Sequence, residues 1–538
     1  MSKRPNILFI MADQMKASIL RIYSEIGIEC PQIEKLAEEG IKFENAITPS
    51  PLCVPARTSI MTGKYPHNTG CRRNETLLPE GEFHAFKVWK KAGYTTGLIG
   101  KNHCYVNQSD LDLFDVRLEI SHQGLPKGDY VGANVGNTGM DWIKDENIIN
   151  EANKNRLEMS KTKKKICYSS SNNDESTFST SLIANQSIEF LEKYSQGSFS
   201  RENNPFALWV SFPDPHEPYE APKRYVEMFP KENVKLPPQK RGEFDDESSP
   251  ERNKILYEIM GHKDEPEDEI RAQISIYQAM CKFIDDEIKK IIDKLEELNL
   301  KDDTIIVFTS DHGDFMGEHG MFVKGGVFYD CLVKVPLIIS WNKGQFPIGE
   351  VEEKVVSTID IIPTIFYLQG LGNFSDIGKA WKSEKKGDIG DNNFLSDKDM
   401  RSMHGSLLPK ITKNPSKNIA FSEYGAGGPR FRLKDLEKFK KPFGYKTLLE
   451  TLWAREAEGR RKMVRTDKWK YITDNSGDID ELYDLTNDPW ELKNLATKSK
   501  YSSVINEMKN LLLNWMIETE DKTPVELPNK VGREFDFS

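Results

Sequence analysis

Near-unbroken apolar runs punctuate an otherwise polar chain: NILFIMA at 6–12, YTTGLIG at 94–100, FALWVSF at 206–212, TIIVFTS at 304–310 and VPLIISW at 335–341. A strand with one solvated face alternates polar and apolar residues. These runs do not, so they read as strands buried on both faces. FENAIT at 43–48 reads as a shorter strand. Between the runs the period changes to that of helices. In CPQIEKLAEEG, Ile33, Leu36 and Ala37 share one face and Gly40 marks the expected stop. Residues 87–92 read as a helix. So does the long stretch 269–298, with Ile274, Tyr277, Met280, Phe283, Ile284 and Ile291 at its apolar positions. Strands alternating with helices predict an α/β fold whose mostly parallel sheet is covered on both faces. Chemistry in such sheets collects at the carboxyl ends of the strands. Asp13, Lys101, His103, His216, Asp311 and His312 all follow predicted strands.

Length and composition add organisation. At 538 residues the chain exceeds one small domain. A composition shift near residue 417 sets an expected boundary between a large α/β domain, 1–413, and a smaller α+β unit, 414–538. Within the smaller unit, residues 463–496 read as two short strands joined by a turn near 475–477, and YSSVINEMKNLLLNWMIETE reads as a helix. Polar segments at 107–181, 218–266 and 373–418 lack periodicity and read as surface loops, parts of which can wall a cleft. The net charge of −10 argues against a nucleic-acid partner held by a basic field. No run approaches the length of a membrane span. The opening residues have no signal-peptide pattern, so a cytoplasmic protein is the expectation. Seven scattered cysteines without a CxxC pair argue against a zinc cluster or a disulfide framework.

Two strand-end pairs, Asp13 with Gln14 and Asp311 with His312, offer carboxylates, an amide oxygen and an imidazole to one divalent ion. Asp314, Glu318 and His319, in DHGDFMGEHG, read as turn caps or supporting contacts. Arg57, Lys101, His103, His216 and Lys324 sit in the short motifs CVPAR, GKNH, PDPHEPY and MFVKGG. Gathered beside a metal, they would form a pocket for a tetrahedral anion. Cys53 is the odd member. A thiol suits a hard divalent ion poorly, whereas an oxygen nucleophile would suit it well, which hints at chemical conversion of the side chain.

CVPARTSIMTG at 53–63 resembles the maturation signature of the sulfatases, in which Cys-x-Pro-x-Arg directs oxidation of the cysteine to formylglycine. GYTTGLIGKNH resembles a second signature of that family. NILFIMADQ, PDPHEPY, TSDHGDFMGEHGMFVKGG and the late RTDKWKYI and ELYDLTNDPWELKNLA follow in the family's order. The resemblance implies an alkaline-phosphatase-like α/β fold with a smaller C-terminal domain, and a sulfatase that hydrolyses an organic sulfate ester, a sulfated saccharide being the broadest expectation. It implies one divalent metal, most often Ca²⁺, held by Asp13, Gln14, Asp311, His312 and the modified Cys53. The formylglycine is hydrated to a gem-diol, one hydroxyl of which attacks sulfur. His216 or Lys324 would protonate the departing alcohol, and His103 would take the proton that lets sulfate leave. Arg57 and Lys101 would hold the diol, and Lys324 the sulfate oxygens. A formylglycine-generating maturation enzyme is the implied transient partner.

The pattern also departs from most sulfatases. Gln14 stands where many have aspartate and His312 where many have asparagine, so Mn²⁺ or Mg²⁺ stays open beside Ca²⁺. The Asp-Gln and Asp-His pairs resemble the phosphonate monoester and phosphodiester hydrolases of the same superfamily. Asn74, in RRNETLLP, resembles a substrate-contacting asparagine of that branch.

Overall fold

The computed structural model describes residues 4–120, 144–147, 166, 168–199, 204–343, 346–372, 394–412 and 417–520. The larger part of the chain contributes strands β1 (Asn6–Ala12), β2 (Gly40–Ile47), β3 (Thr95–Gly100), β4 (Val116–Glu119), β5 (Tyr168–Ser171), β6 (Phe206–Phe212), β7 (Tyr219–Pro222), β8 (Thr304–Ser310), β9 (Lys334–Val335), β10 (Leu337–Ser340) and β11 (Glu350–Ser357). Nine of them form one sheet in the order β11-β2-β10-β8-β1-β6-β3-β4, with β9 paired to β2. β1, β6, β8, β3 and β4 run parallel, whereas β10 lies antiparallel to both β8 and β2. The sheet is therefore mixed: after β8 the chain loops through 311–333 and re-enters the sheet beside it in the opposite sense.

Burial on both faces explains the unbroken apolar runs. Along β1, Leu8, Ile10 and Ala12 enter one core and Ile7, Phe9 and Met11 the other. Each large side chain buried this way contributes about 1.5–3 kcal/mol. Helices Pro31–Glu38, Ser179–Ser195 and the long Glu267–Glu297 cover the first face, and Cys53–Thr62, Ala85–Lys91 and Ile361–Leu368 the second. Register then sets the site. Ala12 pairs with Phe212 on one side and Ser310 on the other, and Gly100 pairs with Ser211, so β1, β3, β6 and β8 end level.

The C-terminal part holds a four-stranded antiparallel sheet, β12 (Ile419–Tyr424), β13 (Arg461–Thr466), β14 (Trp469–Thr473) and β15 (Glu481–Asp484). Helix Ser502–Glu518 packs Met508, Leu512 and Trp515 on it, and Trp515 stacks on Phe421 at 4.8 Å. Tyr65 and Ile359 of the larger part join this third core. Glu423 at the end of β12 reaches back to accept from His67 N at 2.7 Å.

Several sequence readings need correction. Three strands, not two, lie between 461 and 484, because a second reversal occurs at 467–468. There Trp469 N donates to Thr466 Oγ1 at 2.9 Å, and the Thr466 side chain closes the turn. Gly40 is not a helix stop: the helix ends at Glu38 and Gly40 opens β2, where a Cβ would come within 2.2 Å of the Ile339 carbonyl oxygen. The segment 218–266 is not all loop. It contains β7 and helix Glu251–Met260, whose Ile255, Leu256, Ile259 and Met260 are buried at helical spacing. The expected boundary at 413/414, Cys167 and much of 107–181 and 373–418 lie outside the described residues. Among those described, no helix is long and apolar enough to cross a membrane.

Candidate active site

Because β1 and β8 end level, Asp13 and Asp311 stand side by side, both fully buried. The chain turns sharply after Asp13 through Gln14, at φ 64°, and Gln14 N donates to Asp311 Oδ1 at 3.0 Å. Tyr277, from the long helix behind, fixes this turn by donating to Gln14 O at 2.7 Å. Cys53 begins the helix Cys53–Thr62, and Pro55 falls in its first turn, where a missing N–H leaves no helical bond unmade. Arg57 comes one helical turn after Cys53, on the same face. That spacing is the physical content of Cys-x-Pro-x-Arg.

Arg57 Nε donates to Asp311 Oδ2 at 2.7 Å and Nη2 to Asp13 Oδ2 at 2.9 Å. Nη1 donates to Ser211 Oγ at 2.8 Å and the Lys101 carbonyl at 3.1 Å. Lys101 Nζ also pairs with Asp13 Oδ2. Gly100 permits this approach: at φ 104°, a Cβ there would lie 2.0 Å from the Ser211 carbonyl oxygen. Burial pushes the Asp13 carboxyl up, but Lys101 and Arg57 together hold it well below the usual range.

The Oδ2 of each carboxylate is thus committed to cations, while Asp13 Oδ1 lies 3.9 Å from the Cys53 sulfur and Asp311 Oδ1 lies 3.8 Å from His312 Nε2. Ligand atoms of Asp13, Cys53, Asp311 and His312 all lie within 4.8 Å of one another. His312 Nδ1 donates to the Gly313 carbonyl at 3.0 Å, which leaves the Nε2 lone pair aimed at Cys53 Sγ, 3.2 Å away. Two carboxylates and an imidazole of fixed tautomer fit a divalent cation. Gln14 borders this group: its Oε1 accepts from Lys324 Nζ at 2.6 Å, and its Nε2 donates to Glu217 Oε2 at 2.9 Å.

Lys324 Nζ also approaches Cys53 Sγ at 3.4 Å. Burial opposes its charge, but Cys53, Glu217 and Asp13 hold its pKa above the usual lysine value. Burial pushes the Cys53 thiol up to about 11, with Asp13 adding to the rise, so an unmodified Cys53 is no thiolate at neutral pH. His103, in a left-handed conformation at φ 49°, is held neutral by burial and by Lys101 and Arg57. Burial and Lys324 hold His216 neutral in the same way, and its Nδ1 donates to the Glu217 carbonyl at 2.7 Å.

Asn74 lies at the start of the Cys53 helix, where its Oδ1 accepts from Val54 N at 3.2 Å. Its backbone N and Nδ2 donate to Glu456, at 3.0 and 2.9 Å. Asp314 and Glu318 support the site from behind. Asp314 accepts from Tyr219 OH at 2.6 Å and from the Met316 and Val323 amides, and Glu318 pairs with Lys16 at 2.6 Å. His319 turns away, bonding Glu243 at 2.7 Å and stacking on Tyr329. Sequence reasoning passed over Ser211, Glu217, Tyr219 and Glu456. Ser211 near the end of a predicted strand and Glu217 within PDPHEPY carried a usable signal. Glu456 carried none.

The sulfatase family profile matches residues 5–371. The chain belongs to the sulfatase family. This sulfatase is a sulfuric ester hydrolase of alkaline-phosphatase-like fold, and residues 436–518 match the C-terminal profile of N-sulphoglucosamine sulphohydrolase. It is 26% identical to an uncharacterised sulfatase of Escherichia coli strain K12, over 96% of this chain and 88% of that protein. It is 27% identical to the choline-sulfatase of Rhizobium meliloti, over 92% and 82%. Its fold resembles the phosphonate monoester hydrolase of Agrobacterium radiobacter, with a TM-score of 0.70 at 21% identity and 96% of each chain covered.

Proposed function

We propose that this sulfatase cleaves the sulfate ester of a saccharide, using a formylglycine made from Cys53. The observation that carries the reading is the convergence on Cys53 Sγ of Asp13, Asp311, His312 and Lys324. Asp13, Asp311 and His312, with Gln14 beside them, would hold a divalent cation (Ca²⁺, Mn²⁺ or Mg²⁺), which supplies Lewis-acid polarisation. Hydrated, the aldehyde supplies an oxygen nucleophile and a second hydroxyl through which sulfate leaves intramolecularly.

The chain's own residues do the rest. Arg57 and Lys101 hold the carboxylates in place and balance their charge. Lys324 meets the sulfate oxygens and carries the proton for the departing alcohol. His216, neutral and with its Nδ1 proton bonded to Glu217, is the weaker donor. His103, also neutral, is ready to accept a proton. A maturation enzyme acts beforehand on Cys53. The sulphohydrolase named by the C-terminal profile supports a saccharide as the alcohol.

Gln14 and His312 favour one second reading, a phosphonate monoester or phosphodiester hydrolase. The test compares an aryl sulfate, a phenylphosphonate ester and a phosphodiester side by side. Sulfate release should lead in kcat/KM, and a large preference for phosphorus would reverse the assignment.

A further inference from the structure

Helix Tyr445–Ala457 belongs to the C-terminal part of the chain, yet its Glu456 reaches Asn74 at the start of the Cys53 helix. Glu456, buried, takes two hydrogen bonds from Asn74, whose carbonyl holds the amide next to Cys53. Trp453 sits three residues earlier, on the same helix face. The residue before Asn74, Arg73, lays its guanidinium 4.0 Å from the centre of the Trp453 ring. Arg73 is itself packed, with a side chain 14% exposed and an ion pair to Glu75 at 3.4 Å. Trp453 is 61% exposed. The indole is therefore backed on one side by a held cation and open to solvent elsewhere, next to the asparagine that braces the nucleophile helix.

We propose that Trp453 is a specificity-determining residue whose open indole face stacks the sugar ring of the leaving alcohol while the sulfate lies at Cys53. This rests on the saccharide-sulfatase reading and narrows it. A pyranose offers C–H bonds to an aromatic face, and the exposed indole of Trp453 presents one. Arg73 also selects by charge. It already draws on the ring's negative face and places a positive charge behind it, so a quaternary ammonium alcohol such as choline gains little there. A neutral or acidic sugar meets no such opposition.

The test uses the full chain carrying Cys53→Ala, which binds without turnover. N-acetylglucosamine 6-sulfate and choline sulfate are titrated calorimetrically into it and into the same chain with Trp453→Ala or Trp453→Phe added. Trp453→Ala should weaken the sugar about tenfold, the scale of one aromatic stacking contact. Trp453→Phe should recover most of the loss, and choline sulfate should change less than about twofold. In the converted enzyme, Trp453→Ala should raise KM for the sugar sulfate about tenfold with kcat unchanged. Sugar binding that is absent, or indifferent to Trp453→Ala, overturns the proposal. So does an equal loss for choline sulfate. Failure of the hydrolytic reading has a separate signature: the converted parent chain releases no sulfate from either ester, while the calorimetric difference at Trp453 persists.

Discussion

The ammonium of Lys324 stands 3.4 Å from the sulfur of Cys53, although 271 residues separate them in the chain. A buried cation there meets the negative charge that builds on sulfate oxygens in the transition state. Lys324→Met should lower kcat/KM on an aryl sulfate by about 10²–10³, as the loss of one preorganised donor does. Steady-state kinetics decide this. A loss below about threefold would remove Lys324 from the sulfate site.

Conversion at position 53 is read by mass spectrometry of the peptide that contains it. Chain made together with a maturation enzyme should carry the aldehyde and release sulfate. Chain made without one should keep its thiol and be inactive. With its pKa pushed up to about 11, that thiol should react sluggishly with alkylating reagents at neutral pH. Full activity in unconverted protein, or in Cys53→Ala, would rule out the modified residue as nucleophile.

Arg57 joins two buried carboxylates, so its removal leaves Asp311 without its arginine partner and Asp13 with Lys101 alone. Arg57→Met should destabilise the protein by about 3–5 kcal/mol, the scale for breaking a buried ion pair. Denaturant unfolding measures the change, and a loss below about 1 kcal/mol would contradict the buried network.

Metal removal should abolish activity and lower the unfolding temperature. Adding back Ca²⁺, Mn²⁺ or Mg²⁺ should restore both, with a stabilisation that grows with ion concentration. Asp311→Asn should lose that concentration dependence. An unfolding temperature indifferent to chelator and to added ion would count against Asp13, Asp311 and His312 as ligands.

Glu456 offers a pH signature. Burial, reinforced by Glu75, raises its pKa from the ordinary 4.5 to about 7. A raised folded-state value means that its contribution to stability is complete below about 4.5 and is lost as pH rises through about 7. The stability of the parent chain relative to Glu456→Gln should therefore fall between those values. Unfolding temperatures of both chains across this range test it, and a difference independent of pH would refute the shift. Because Glu456 holds Asn74, the same substitution should also lower kcat on aryl sulfate.

Parts of this arrangement were legible in one dimension because they are local. The helical spacing from Cys53 to Arg57 and the strand ends before Asp13, Lys101 and Asp311 are properties of neighbouring residues. Helix Glu251–Met260 was missed: its buried positions recur at helical spacing, but charged residues around them masked the period. The second reversal at 467–468 depends on one threonine side chain and left little trace.

The amino-acid sequence by itself determined the strands, the alternation that builds an α/β sheet and the motif that marks Cys53, because periodicity and short spacing are written in adjacent residues. Only the tertiary structure decided that β10 runs against its neighbours, that Lys324 takes the Gln14 amide oxygen, that Glu456 meets Asn74 and that Trp453 meets Arg73. Those relationships join segments up to hundreds of residues apart. They are set by sheet register and by packing between the two parts of the chain, and neither is encoded in any local pattern.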